Sequence, residues 1–284
     1  MHCLHPIKIR NPNWFRGSKD FMYLQVPCGH CIACQERRRS EWAFRLEQEA
    51  ANNPTFFVTL AYNSDNLHYS CNPESGELLP TLYPVDMTLF LKRLRKSSIY
   101  PIRFFYCGEY GGRFGRPHYH LILFGLPNLD YVKSKVESCW KLGFTSVEPA
   151  NIQRFRYVAK YVVKLDIHDL DEYVTKPFAR MSRRPGIGYN SLTSDYKSFY
   201  KSRLQTYTHL SNGELINLPR YFKARIFSQS DMDIINKRLD YLSDFQFITK
   251  SSNFNDFTFL RQDLLDDEAW EKSKIKQFLL HYGK

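Results

Sequence analysis

The sequence lacks long apolar runs, internal repeats and an initial segment of the secretory type. No stretch of its 284 residues approaches the roughly 18 to 20 apolar residues that span a bilayer. No initial segment combines basic residues, a long apolar run and a small-residue cleavage site. We therefore expect a soluble, intracellular protein that does not contact a membrane. Its seven cysteines should then be reduced, and a cluster of them is more typical of metal binding or chemistry than of structural disulfides.

Acidic residues are also few relative to basic ones. The 29 Asp and Glu stand against 40 Lys and Arg, which gives a formal net charge of +11. Such a surplus attracts polyanions, so nucleic acid is the first partner to consider, with a merely solvated basic surface as the alternative. Apolar residues make up 43% and aromatics 16% of the chain, which excludes disorder as the default state.

The order of elements predicts a mixed α+β domain. We predict a basic helix over 35–50, a strand over 54–62, a loop to about residue 80, a helix over 87–96, strands over 102–108 and 118–125, a helix up to residue 143, a strand over 144–149 and a helix over 151–165. Asp86, Asp130 and Asn151 are the expected helix caps. From residue 54 the order is β, α, β, β, α, β, α. It is typical of a ferredoxin-like antiparallel sheet with helices on one face.

Three segments follow from this pattern. Residues 1–53 form an irregular, Cys-rich and possibly zinc-binding segment with the basic helix, and residues 54–165 form the core. Residues 166–284 form an accessory region and tail. Within it we predict a hairpin over 207–218 that turns at Asn212-Gly213, and a helix near 230–243.

His118 and His120 lie two residues apart in a predicted strand, so both imidazoles point to the same face. Glu109 lies at the end of the preceding strand and faces them across the hairpin. The three residues offer a metal site with open positions. Imidazole and carboxylate together suit Mg²⁺ or Mn²⁺ bound with a phosphate. The alternative for each histidine is an ordinary hydrogen-bonded core residue.

A stripe of phenols and ammonium groups follows the last helix of the predicted core. Tyr157, Lys160, Tyr161 and Lys164 have the spacing i, i+3, i+4, i+7. Tyrosines at this spacing can be core residues with hydroxyls at the rim. Beside a metal ion and lysines, however, a phenolate is favoured and becomes a nucleophile. Its attack on a phosphodiester would leave a 5'-phosphotyrosine and a free 3'-hydroxyl.

Three segments resemble the ordered motifs of the HUH replication initiators. They are FVTLAY at 57–62, RPHYHLILFG at 116–125 and YVAKYVVK at 157–164, the last in a two-tyrosine form. Other segments resemble the initiators of microvirus phages, particularly the gokushovirus branch: CLHPIKI, VPCGHCIACQERRRSEW, PFARMSRRPGIGY and LPRYFKARIF. The resemblance extends from residue 3 to about residue 227.

The resemblance implies an HUH endonuclease domain that works in the cytoplasm of a bacterial host. A divalent ion on His118 and His120 would serve the nicking of one strand at the viral origin, for rolling-circle replication. Glu109 stands at a distance upstream similar to that of the third ligand in related eukaryotic-virus initiators. The implied partners are single-stranded DNA, double-stranded origin DNA and a host polymerase. A host helicase is implied because the chain shows no phosphate loop of the form GxxxxGK[ST].

Cysteines cluster near the start of the chain. Cys28, Cys31 and Cys34 have the repeated two-residue spacing that suits thiolate ligands, and Cys3 is a fourth candidate. One interpretation is a structural Zn²⁺ on these four residues. The other is unliganded, reduced cysteines packed under the first helix. The remaining three, Cys71, Cys107 and Cys139, are isolated and predicted to be core or surface residues.

Basic runs at 37–39, 92–96 and 183–184 are candidates for binding DNA phosphate, although each run alone is also typical of a solvated face. The main alternative function is a zinc-dependent DNA-binding regulatory protein without nuclease activity. That alternative leaves Tyr157 and Tyr161 without a role. A further alternative is a plasmid or transposon relative with the same nickase chemistry in a different biological cycle.

Overall fold

A computed structural model describes residues 3–12, 14–17, 22–51, 53–112, 115–162 and 172–238. The chain divides into two compact units, one within Met1–Tyr196 and Tyr207–Pro219 and the other within Lys197–Thr206 and Arg220–Lys284. The predicted division at residues 53 and 165 stays a prediction. Within the described residues, no helix combines the length and the apolar character needed to cross a membrane.

Regular elements fill most of the described chain. The strands are β1 (Ile7–Arg10), β2 (Tyr23–Val26), β3 (Thr55–Tyr62), β4 (Tyr69–Cys71), β5 (Leu78–Pro80), β6 (Arg103–Tyr110), β7 (Pro117–Phe124), β8 (Gly143–Pro149), β9 (Phe178–Met181), β10 (Tyr207–His209) and β11 (Leu215–Asn217). The α-helices are α1 (Ile32–Ala50), α2 (Pro84–Ser97), α3 (Leu129–Cys139), α4 (Ile152–Lys160), α5 (Ser194–Arg203) and α6 (Arg220–Ile226). A short 3₁₀ helix spans Tyr189–Ser191, and residues 229–238 are also helical.

Five strands form one antiparallel sheet in the order β8-β3-β7-β6-β9. The predicted order β, α, β, β, α, β, α is confirmed as β3, α2, β6, β7, α3, β8, α4. The structure adds the β4-β5 hairpin within the predicted loop, and β9 as an edge strand beside β6. The chain is therefore a mixed α+β protein with an antiparallel sheet.

Helices cover both faces of this sheet, so the prediction of helices on one face is wrong. Along β7, Tyr119 and Leu121 pack with residues of α2 and α3 such as Phe90 and Val136. The alternate residues of β7 pack on the other side with α1 and α4. The physical reason lies in β7 itself, where almost every position is buried. A strand that is apolar at successive positions needs a cover on each face.

Two of the predicted helix caps are wrong, and one is confirmed. The α3 helix is capped by the side chain of Asn128 instead of Asp130, and it ends at Cys139 instead of residue 143. Asp86 is not a cap because Pro84 begins α2 two residues earlier. Its buried carboxylate accepts hydrogen bonds from the Tyr62 hydroxyl at 2.8 Å and from His68 Nε2 at 2.8 Å.

The two ends of the chain differ in how well their elements were predicted. The segment expected to be irregular contains an antiparallel hairpin of β1 and β2, with Ile7 opposite Val26. Near the other end, the predicted hairpin over 207–218 is confirmed as β10 and β11. The helix predicted near 230–243 is helical over 229–238, and its remainder lies outside the described residues.

Candidate active site

The hairpin of β6 and β7 brings one carboxylate against two imidazoles. Glu109 is the direct antiparallel partner of His118, and Cys107 is the partner of His120. His118 Nε2 lies 3.0 Å and His120 Nε2 lies 2.6 Å from Glu109 Oε1. All three ligand atoms lie within 4.8 Å of one another, so Glu109, His118 and His120 form a candidate metal-binding group.

The far nitrogen of each imidazole is held by a second partner. His118 Nδ1 lies 3.0 Å from the Arg116 carbonyl oxygen, and His120 Nδ1 lies 3.0 Å from the hydroxyl of Thr59 on β3. Phe57, also on β3, stacks on the ring of His120 with centroids 5.2 Å apart. These contacts aim both Nε2 atoms at Glu109, as partners of metal-binding histidines commonly do. Thr59 lies in the segment FVTLAY, and only its register opposite His120 reveals its contact.

The hydrogen bonds at His118 show why this group suits a cation. A carbonyl oxygen only accepts, so Nδ1 of His118 must donate to Arg116. In the neutral imidazole, Nε2 then presents its lone pair to the carboxylate of Glu109. Two acceptors facing each other need either a proton or a metal ion between them. The donor set therefore fits a divalent cation without any change of side-chain position.

The charges of the three groups are coupled. Burial favours the neutral carboxyl, but the hydrogen bonds and charges of the two histidines hold the pKa of Glu109 at about 2. Burial also works against a charged imidazole at His118, yet the bonds to Glu109 and to the Arg116 carbonyl raise its pKa overall. At His120 burial prevails and lowers the pKa. Glu109 is thus an anion at neutral pH.

Helix α4 places a tyrosine hydroxyl in this group. Asn151 caps the helix as predicted, because its side chain accepts a hydrogen bond from the backbone N–H of Arg154. Phe155 and Val158 pack into the core on the sheet. The Tyr157 hydroxyl consequently donates to Glu109 Oε1 at 2.8 Å and lies 3.3 Å from His120 Nε2.

The second tyrosine stands directly behind the first. The helix ends at Lys160, earlier than predicted, and Tyr161 is its C-terminal cap in helical conformation. The Tyr161 hydroxyl therefore still donates to the Tyr157 hydroxyl, at 3.2 Å. Lys160 Nζ lies 4.4 Å from the ring centre of Tyr157 and 4.7 Å from that of Tyr161. Lys164, the fourth predicted residue of the stripe, lies outside the described residues.

Burial and the Glu109 carboxylate raise the pKa of Tyr157. The phenol is therefore neutral in the protein alone at neutral pH. A cation close to this hydroxyl would favour the phenolate, because it offsets the charge of Glu109.

The four N-terminal cysteines also meet in space. Cys3 Sγ lies 3.5 Å from Cys28 Sγ and 3.8 Å from Cys31 Sγ, and the sulfurs of these three residues and Cys34 all lie within 4.8 Å of one another. They form a second candidate metal-binding group. The other cysteines are separate, as predicted: Cys107 and Cys139 are buried, and Cys71 is exposed.

Two of the predicted basic runs converge on one groove. Lys92 and Arg95 on α2 and Arg183 after β9 line a cavity of about 290 Å³, together with Arg180 on β9. The sequence analysis missed Arg180, which stands outside any basic run and reaches the groove only because β9 joins the sheet. The run at 37–39 has acidic neighbours instead, since Arg39 is paired with Glu36 at 2.8 Å.

A known protein family matches the part of the chain that contains the sheet and the tyrosines. Residues 55–166 match the family of the replication-associated protein ORF2. The match includes Glu109, both histidines and both tyrosines. No solved structure matches the chain.

Curated relatives extend the similarity beyond that segment. The chain is 28% identical over 223 residues to "Replication-associated protein ORF2" of Spiroplasma virus 4, which covers 71% of this chain and 67% of that protein. It is 26% identical over 276 residues to "Replication-associated protein ORF4" of Chlamydia phage 1, covering 81% of this chain and 66% of that protein. It is 24% identical over 257 residues to "Replication-associated protein VP4" of Bdellovibrio phage phiMH2K, covering 78% and 76%. The chain is therefore a relative of the phage replication-associated proteins, over residues 55–166 by family and over most of its length by these similarities.

Proposed function

We propose that this protein initiates the replication of a single-stranded-DNA phage as a metal-dependent, HUH-type endonuclease. It nicks one strand at the origin with a tyrosine and stays attached to the 5' end. The observation that carries the proposal is the Tyr157 hydroxyl, 2.8 Å from Glu109 and within the same group as His118 and His120. The names of the relatives support the role in replication. Two interleaved βαβ units in the order β8-β3-β7-β6 support a ferredoxin-like core.

Glu109, His118 and His120 would hold a divalent ion, and their oxygen and nitrogen atoms suit Mg²⁺ or Mn²⁺. When bound, such an ion polarises the scissile phosphate and favours the phenolate. The three protein donors leave coordination positions for phosphate oxygens. The alternative, that the histidines are ordinary core residues, does not explain why a neutral His118 would turn a lone pair toward a carboxylate.

Tyr157 is the first nucleophile in this proposal because its hydroxyl lies nearest the metal-binding group. Its oxygen forms a bond to phosphorus while the bond from phosphorus to the 3'-oxygen breaks. The phenol already donates to Glu109 Oε1, which is therefore the nearest acceptor for its proton. The 3'-oxygen leaves and takes up a proton as a free 3'-hydroxyl. Lys160, over the rings of both tyrosines, favours their ionised forms.

Tyr161 gives the site a second nucleophile. Its hydroxyl lies 3.2 Å from that of Tyr157, so both phenols can approach the same phosphate in turn. One tyrosine can hold the 5' end through a round of synthesis while the other cleaves the regenerated origin. The free 3'-hydroxyl then closes the displaced circle. Lys164 belongs to the same stripe in sequence, and a role for it stays a prediction.

The basic groove is the proposed surface for DNA phosphates away from the nick. Lys92, Arg95, Arg180 and Arg183 line it, and Phe104 and Tyr106 supply aromatic surface. Among the described residues, none of those that line this groove is acidic. Single-stranded and double-stranded origin DNA are the proposed ligands, while a host helicase and a host polymerase would be supplied in the bacterial cytoplasm.

The test is covalent capture of a labelled single-stranded oligonucleotide that carries the origin. With Mn²⁺ we expect an adduct on a denaturing gel. Tyr157→Phe should reduce the first nick more than Tyr161→Phe does, because Tyr161 contacts Tyr157 and not Glu109. The double variant should form no adduct. An adduct mapped by mass spectrometry to any other tyrosine would contradict the proposal.

A second candidate function rests on the cysteine cluster. A zinc-dependent DNA-binding regulator would need those four residues and the basic surface but no tyrosine chemistry. The same experiment separates the two functions. Binding of the oligonucleotide without any adduct, in the presence of Mn²⁺ and with the correct origin, would favour the regulator.

A further inference from the structure

The hairpin of β1 and β2 has almost no hydrophobic core of its own. All four side chains of β1 and three of the four in β2 are exposed, including those of Ile7, Tyr23 and Leu24. An isolated two-stranded hairpin is marginally stable at best in water. Something other than apolar packing must therefore hold this hairpin in place.

The four clustered cysteines lie at the base of the hairpin. Cys3 precedes β1, Cys28 follows β2 by two residues, Cys31 is the N-cap of α1 and Cys34 lies in its first turn. A tetrahedral Zn²⁺ with Zn–S bonds of about 2.3 Å separates its sulfur ligands by about 3.8 Å. The observed separations from Cys3 are 3.5 Å to Cys28 and 3.8 Å to Cys31. A disulfide bond would need about 2.05 Å, and all four cysteines are free.

The surroundings of the sulfurs favour thiolates. The backbone N–H of Cys28 donates to Cys3 Sγ at 3.2 Å, and the backbone N–H of Cys31 donates to Cys28 Sγ at 3.3 Å. Helix α1 begins without a side-chain cap and without an acidic residue in its first turn. The positive end of its dipole therefore faces the cysteines, where it stabilises negative charge.

We propose that Cys3, Cys28, Cys31 and Cys34 bind one structural Zn²⁺, which fastens the β1-β2 hairpin to the N-terminus of α1. Four thiolates select zinc over Mg²⁺ or Mn²⁺ because they are soft ligands. They also fill all four tetrahedral positions and leave none for water or substrate, so this ion is not catalytic. The inference does not depend on the proposed nicking activity.

The ion also secures the start of the helix that supports the tyrosines. Leu46, in the last part of α1, belongs to the same buried cluster as Phe155 and Val158 of α4. Fixing the first turn of α1 therefore limits fraying of a helix on which α4 rests. Loss of zinc should loosen the hairpin first, because only the hairpin lacks its own packing.

The first test is the zinc content of the full-length protein, purified without chelator and measured by elemental analysis. We expect one zinc per chain. Cys28→Ser with Cys31→Ser should lose it, whereas Cys71→Ser should keep it, because Cys71 is an exposed cysteine outside the cluster. His118→Gln with His120→Gln should also keep it, which assigns the zinc to the cysteines. Wild-type protein without zinc, or a double cysteine variant that retains it, would overturn the proposal.

A second measurement covers the case in which the cysteine variant does not fold. Replacing zinc by Co²⁺ in the wild-type protein should produce thiolate-to-metal charge-transfer absorption of a tetrahedral all-sulfur site. Four thiols should become reactive to a thiol reagent when the metal is removed by a strong chelator. A cobalt spectrum without thiolate bands, or a disulfide found among Cys3, Cys28, Cys31 and Cys34 by mass spectrometry, would contradict the inference.

Discussion

The two candidate metal groups differ in what holds their ligands in position. Glu109, His118 and His120 project from the central strands of a sheet that is buried on both faces. The cysteine group joins the base of an exposed hairpin to a helix end. The core and its hydrogen bonds fix the first group without a metal. The second has little apolar packing, so the ion itself must supply the missing stability. One site is thus organised by the fold, and the other organises part of the fold.

The strongest way to break this comparison is to remove the ligands of each group separately. His118→Gln with His120→Gln should reduce nicking by about a thousandfold or more, because the ion supplies several kcal/mol of transition-state stabilisation. Glutamine still offers Glu109 a hydrogen-bond donor, so the melting temperature should change little. Cys28→Ser with Cys31→Ser should have the opposite profile, with a clear loss of thermal stability.

Single-turnover nicking rates and thermal melting curves of both variants would check this prediction. Cys71→Ser is the control for cysteine replacement, since Cys71 is exposed and outside the cluster. Nicking at the wild-type rate by the double histidine variant would show that the sheet group is not the catalytic centre.

Acid should weaken the metal-free sheet group in a way that depends on Glu109. Its pKa in the folded protein is about 2, below the ordinary value of 4.5. A depressed carboxyl pKa stabilises the fold fully above the ordinary value, and this contribution is lost as the pH falls from about 4.5 toward 2. The full contribution is of the order of 3 kcal/mol. Glu109→Gln should therefore flatten the dependence of the unfolding free energy on pH in this window.

Urea unfolding of wild type and variant between pH 2 and 5, in chelator, measures the difference. Both proteins lose any thiolate-bound zinc under these conditions, so that loss cancels in the comparison. Glu148→Gln is the matched control because Glu148 pairs with Arg154 at the surface, where an ion pair contributes little. Parallel curves for wild type and Glu109→Gln would remove the carboxylate from the stabilising network.

The smallest expected effect concerns the basic groove. Arg95→Ala with Arg180→Ala should weaken binding of duplex origin DNA and lower the salt slope of its affinity by about 2, roughly one for each phosphate that is no longer neutralised. Lys133→Ala with Lys141→Ala removes the same charge from exposed positions outside the groove. Affinity titrations at several salt concentrations would check this. Equal slopes for the two double variants would show only a general charge effect.

Local sequence patterns predicted the central part of the fold well. The alternation in β3, β6 and β7 and the helical spacing in α2 and α4 gave the correct order of elements. The number of covered faces was wrong, although the nearly continuous apolar run of β7 carried the information. Helix ends were also less predictable, since Pro84 and Asn128 compete with nearby Asp86 and Asp130 for the same role.

The sequence by itself determined the placement of His118 and His120 on one strand face, and of Tyr157 and Tyr161 on one helix face, because both depend only on short-range periodicity. Tertiary structure alone decided that these two faces meet, with the Tyr157 hydroxyl 2.8 Å from Glu109. It also decided that Cys3 reaches a cysteine 25 residues later, and that Arg180 joins the groove of α2. Such contacts depend on how strands pair and how helices pack across the sheet, which no local spacing specifies.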